Sequence, residues 1–112
     1  MINNDIIRKA MEEIGDELTI DEAREIAEHV VFSLAKAFAG FDQFSDELVG
    51  ESLLMQAKNN WIPPKRVAEE AARLLVHRCD FENEQDVYGR IASAYNSKRK
   101  KLGLTHLPEL PL

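Results

Sequence analysis

The chain has 112 residues, 45% of them hydrophobic and 30% charged, with a net charge of −6, a composition that fits one soluble globular domain built around a single core. No apolar run approaches the roughly 18 residues of a bilayer span, and the opening MINNDIIRKAMEEIGDE has neither the basic nor the apolar part of a secretory leader. A cytoplasmic protein with no membrane role is expected. The lone cysteine, Cys79, excludes an intramolecular disulfide framework and a CxxC-type zinc knuckle.

In chain order, Asn4 or Asp5 is placed to cap a first helix in which Ile7, Ala10, Met11 and Ile14 share a face, and Gly15 offers a stop. Thr19 and Glu22 have the spacing of a capping box. Behind them Ala23, Ile26, Ala27, Val30, Val31, Leu34, Ala35 and Phe38 recur at steps of three and four, which predicts a long second helix closed by Gly40 as its left-handed terminal residue. Ser45, Asp46 and Glu47 read as a cap and acidic first turn for a third helix that turns Leu48, Val49, Leu53, Leu54 and Ala57 inward as far as Asn59 and Asn60.

Trp61-Ile62-Pro63-Pro64 must interrupt that helix, because neither proline donates a backbone hydrogen bond and the residue before a proline is pushed out of the helical region. Pro64 suits the first turn of a fourth helix running to about Arg78, with Val67, Ala68, Ala71, Leu74 and Leu75 as its stripe. After a turn at Asp80 and Asn83, a fifth helix is expected over 84–101 with Val87, Ile91, Ala94 and Tyr95 on its inner side and Gly103 beyond its end. No strand pattern or internal repeat interrupts this series. The fold class expected is therefore all-α, a compact bundle of about five helices forming one domain over 1–102, with 103–112 as an extended Leu/Pro tail.

Catalytic patterns are weak. Glu22, Glu25, Glu28 and His29 share the polar side of the second helix, but Glu25 and His29 are four apart and Glu70 and His77 seven apart, whereas di-iron bundles use Glu-x-x-His pairs. Glu12, Glu13, Asp16 and Glu17 lack the second matched acidic motif that a magnesium-dependent helical hydrolase needs. Cys79 and His77 point to different sides of a helix, and neither a nucleophile elbow nor a phosphate-cradling glycine loop is present. A non-enzymatic protein without metal or cofactor is expected, with a metal-dependent hydrolase as a distant third reading.

Charge is more informative. Residues 1–51 carry 13 acids and 4 bases (−9), and residues 52–112 carry 10 bases and 7 acids (+3). Halves on different faces would make a dipolar molecule able to steer a partner or align two copies. The leading reading is thus a binding or adaptor protein that docks another protein through the acidic helical face of Asp21, Glu22, Glu25 and Glu28, assisted by Phe32, Phe41 and Phe44, and that forms a homodimer in which an acidic face meets a basic end. Trp61 is expected to close one end of the core.

The alternative is a DNA-binding regulator. Residues 45–78 form a helix-turn-helix-like unit whose second helix offers Lys65, Arg66 and Arg73, opposed on the same face by Glu69 and Glu70. The run Lys98, Arg99, Lys100 and Lys101 exceeds what one helix end requires, and with Arg90 it forms a stripe suited to phosphate or to an acidic protein surface. Beyond it, Leu104, Leu107 and Leu110 recur every third residue between prolines, the period of an extended polyproline-type segment. Such a strap packs on its own bundle, crosses to a partner copy, or docks in a groove of another protein.

Overall fold

The computed structural model describes residues 4–40, 45–78, 81 and 83–112, the side chains of Asn4 and Asp16 excepted. These residues form α1 (Asn4–Glu17), α2 (Ile20–Ala37), α3 (Asp46–Asn60), α4 (Pro64–Arg78) and α5 (Glu84–Lys101), with no strand among them. The all-α bundle expected from periodicity is the architecture observed. Phe41, Phe44, Cys79 and Asp80 lie outside the described residues.

Local chemistry sets most of the boundaries. The Thr19 hydroxyl accepts the Glu22 amide at 3.1 Å while the Glu22 carboxylate accepts the Thr19 amide at 3.3 Å, so the capping box satisfies donors that α2 cannot pair internally. Asn83 caps α5 by accepting from the amides of Gln85 and Asp86. Gly103, at φ 69°, terminates α5 with the Leu104 amide reaching back to Arg99 O at 2.9 Å.

Other ends differ from expectation. α1 runs through Gly15 to Glu17, and its glycine serves close approach instead, since a Cβ there would stand 3.2 Å from Pro63 Cβ. At the end of α2 the left-handed residue is Ala39 (φ 61°), with Gly40 one place later donating to Ala35 O at 2.7 Å. That motif needs its left-handed turn one residue before the glycine, at a cost of roughly 1–2 kcal/mol for an L-residue. Ser45 makes no side-chain cap bond. Trp61 is itself left-handed (φ 56°) at the end of α3 and remains 48% exposed, so it marks the corner before Pro63 instead of sealing the core.

Two helix pairs dominate the packing: α2 lies on α4, and α3 on α5. α4 also touches α1, α3 and α5, which makes it the central element. Its Val67, Ala68, Ala71, Ala72 and Leu75 are wholly buried. Glu70 is buried too, where an exposed face was expected; α2 covers it, and its charge is met by Arg24 at 3.5 Å and Arg73 at 3.7 Å. α3 and α5 approach closely at Gly50, where a Cβ would fall 2.4 Å from the Ile91 carbonyl oxygen. Beside that contact the buried Asp46 at the start of α3 pairs with Arg90 of α5, so Arg90 braces the bundle instead of extending a basic stripe.

Because the first and second halves of the chain interleave, their opposite charges meet inside single helix pairs. Arg24–Glu70, Glu28–Arg78 and Asp46–Arg90 all cross the sequence midpoint. No helix among the described residues is long and apolar enough to cross a membrane.

Candidate functional site

Two surfaces gather the residues singled out by sequence. On the outer side of α2, Asp21, Glu25 and Phe32 are exposed and Glu28 is half-exposed, at spacings of four, three and four that place them in one stripe. Glu22 begins the same helix but is engaged in the capping box. At the far end of the stripe Arg78 stands 5.5 Å from the centre of the Phe32 ring and 3.7 Å from Glu28, so a cation, an aromatic face and a carboxylate adjoin.

The second surface is the groove filled by the tail. After Gly103 the chain reverses, with the Leu107 amide bonding Leu104 O at 3.1 Å, and then runs back along α5. Leu107 and Leu110 are each only 2% exposed and join the core, and Leu104 packs at its edge. Of the three placements open to the strap and its candidate contact residues Leu104, Leu107 and Leu110, packing on its own bundle is the one observed, with Leu107 and Leu110 in the core and Leu104 partly open.

Polar contacts hold the tail by its backbone. Arg8 of α1 donates to Thr105 O at 2.9 Å, and Arg99 donates to Leu107 O at 2.8 Å and to Thr105 O at 3.3 Å. Tyr95 donates to Pro108 O at 2.9 Å, and Tyr88 to Pro111 O at 2.9 Å. Asn96 closes a two-bond ring with Leu110, donating to its carbonyl at 2.8 Å and accepting its amide at 2.9 Å. As the tail advances from 105 to 111 its partners recede from Arg99 to Tyr88, so tail and α5 are antiparallel. Prolines supply no N–H, and the side chains that meet the tail carbonyls are correspondingly donors. Burial raises the pKa of the Tyr95 phenol well above its ordinary value, against a smaller opposing influence of Arg99; desolvation and then the charge of Glu69 raise that of Tyr88.

The basic residues are dispersed. Arg66 donates to the Leu18 carbonyl, Arg73 pairs with Glu70 and with Glu84 at 3.7 Å, and Arg99 holds the tail. Lys65, Lys100 and Lys101 are exposed and Lys98 is half-exposed. α4 is the most enclosed helix of the bundle, with a narrow outer stripe on which Glu69 separates Lys65 from Arg73. No group of three or more His, Cys, Asp or Glu side chains converges on a metal-sized site among the described residues.

Sequence reasoning missed the receptor side of the tail contact. Tyr88, Tyr95 and Arg99 lie seven and four residues apart, which puts three hydrogen-bonding tips on one helical face beside Asn96. That spacing opposite a proline-containing tail was the available signal. Comparisons with protein-family models, with curated proteins and with solved structures gave no match.

Proposed function

We propose that this chain is a small, non-enzymatic intracellular binding or adaptor protein that works through protein–protein contacts as a homodimer, with the acidic outer face of α2 as its docking surface. The observation that supports this reading is the stripe Asp21, Glu25, Glu28 and Phe32, which combines negative charge with an exposed aromatic ring stacked by Arg78. Such a surface suits a basic protein segment: charge complementarity steers the encounter, and the ring supplies apolar contact at one end.

A DNA-binding regulator is the second reading, favoured by Lys65, Lys98, Lys100 and Lys101, whose side chains make no ion pair among the described residues. The engagement of Arg66, Arg73 and Arg99 within the chain and the enclosure of α4 weigh against it.

Affinity capture on immobilised wild-type chain and on the double variant Asp21→Lys/Glu25→Lys separates the two readings. Both side chains are exposed and neither makes an ion pair among the described residues, so the fold should persist. A protein retained by wild type at low salt, released as salt rises and lost from the variant is the expected result. Equal retention by both chains refutes the acidic face as the docking surface. A salt-steep mobility shift of duplex DNA, abolished when Lys98, Lys100 and Lys101 become alanine, would transfer the function to the second reading.

A further inference from the structure

Gly89 stands in the interior of α5, where glycine supports a helix less well than alanine does. The glycines inside α1 and α3 have packing reasons: a Cβ on Gly15 would press on Pro63, and one on Gly50 would strike the Ile91 carbonyl. A Cβ on Gly89 would meet nothing within 4 Å, and its φ is not among the positive values that favour glycine. The packing of this chain therefore gives no reason for it. Gly89 lies instead in a surface trough of about 760 Å³ between α3 and α5.

Charge in the trough is divided by end. On the outward line of α5, Asp86, Gly89, Ser93, Ser97 and Lys100 follow at spacings of three, four, four and three, the same from either direction. A carboxylate and an ammonium occupy the ends of that line, and small residues the middle. On the α3 wall, Glu47 follows Asp46, which holds Arg90, and Glu51 follows Gly50, which abuts Ile91, so both carboxylates flank the first half of α5. Lys98 and Lys101 line the other end. None of Glu47, Glu51, Asp86, Lys98, Lys100 and Lys101 makes an ion pair among the described residues, whereas Arg90, between the two ends, is neutralised by Asp46. The helix macrodipole accounts for acids in the first turn of α5 and lysines in its last. It does not account for Glu51, in the second turn of α3, or for the open space over Gly89.

We propose that this trough is the dimer face and that its occupant is the α5 helix of a second copy, antiparallel across a two-fold axis at Ser93. The proposal rests on the homodimer reading and gives it a face. Turned end for end, the second helix sets lysine over Asp86, carboxylate over Lys100 and the small Ser97 over Gly89, and the same contacts recur on the other side of the axis. The absent side chain at Gly89 then admits the neighbouring backbone. A parallel copy would bring like charges together at both ends, and a polyanion would meet the lysines only beside the carboxylates of the acidic end. α2 makes no contact with α5, so its acidic stripe stays open in such a dimer.

Sedimentation velocity on the full chain tests the pairing. Wild type should be a dimer that loosens as salt rises, because exposed ion pairs are weak and screened. Gly89→Ala should melt at a higher temperature as a monomer yet dimerise about tenfold or more weakly, a split that a purely structural glycine would not give. Glu47→Lys/Asp86→Lys and Lys100→Glu/Lys101→Glu should each be monomeric alone and form a dimer when mixed. Loss of the dimer in both without recovery on mixing overturns the antiparallel pairing. A dimer indifferent to all these changes overturns the α5 face while leaving a homodimer through another surface, and a monomeric wild type at every concentration overturns both. Should a reversed variant fail to fold, Ser93→Cys in a Cys79→Ser chain keeps every charge; oxidation by diamide should link its two copies at the axis, and an unlinked dimer overturns the proposal.

Discussion

Replacing Asn96 by alanine should loosen the tail without unfolding the bundle. The side chain makes two bonds to Leu110, at 2.8 and 2.9 Å, in a partly buried setting. Each such bond contributes about 0.5–1.5 kcal/mol net, so their joint loss is worth about 1–3 kcal/mol. At about 1.4 kcal/mol per factor of ten, the population with a released tail should rise about 5- to 140-fold. The remaining anchors, Tyr88, Tyr95, Arg99 and the buried leucines, still favour the seated state. Native-state hydrogen exchange measures this directly, because local opening is read amide by amide. The Leu110 amide loses its acceptor and should exchange faster by that factor. The Leu107 amide bonds Leu104, not Asn96, and reports whether release spreads along the strap. Amides in the middle of α2 and α4 should keep their protection. Two results refute the reasoning: an unchanged Leu110 amide, or an equal loss of protection throughout α2 and α4, which would make the contact part of global stability.

Gly50→Ala should be among the most damaging small substitutions, since the added methyl would lie 2.4 Å from Ile91 O and force α3 away from α5; a loss of about 1–3 kcal/mol by urea titration is expected, and wild-type stability in the variant would refute the close approach. Stability should also fall in alkali. The Tyr95 phenol is held neutral with a raised folded-state pKa, so its contribution is complete below the unfolded value of about 10 and is lost as pH rises above it, at up to about 1.4 kcal/mol per pH unit. Comparing the pH dependence of unfolding in wild type and Tyr95→Phe isolates this term; identical alkaline slopes would refute it.

Helical periodicity carried most of the fold. The positions of Ala23, Ala27, Val30, Val31 and Ala35 set the inner face of α2, and Pro63-Pro64 fixed the break before α4, because these signals act within a few residues of the chain. Signals that depend on tertiary neighbours were not legible. Glu70 and Asp46 look like solvated carboxylates until Arg24, Arg73 and Arg90 arrive from other helices. The uneven charge of the two halves could be counted, but the interleaving of α2 with α4 and α3 with α5 that mixes those halves could not. The tail's threefold leucine repeat announced an extended strap; its groove required knowing that Tyr88, Tyr95, Asn96 and Arg99 face it together.

The bond from Arg8 to Thr105 joins residues 97 apart in the chain. Among the helices α1 rests on α4 alone, so the early helix and the tail lean partly on each other. Lifting the tail removes that bond, so a variant that releases the tail should also slacken α1 at the opposite end of the chain.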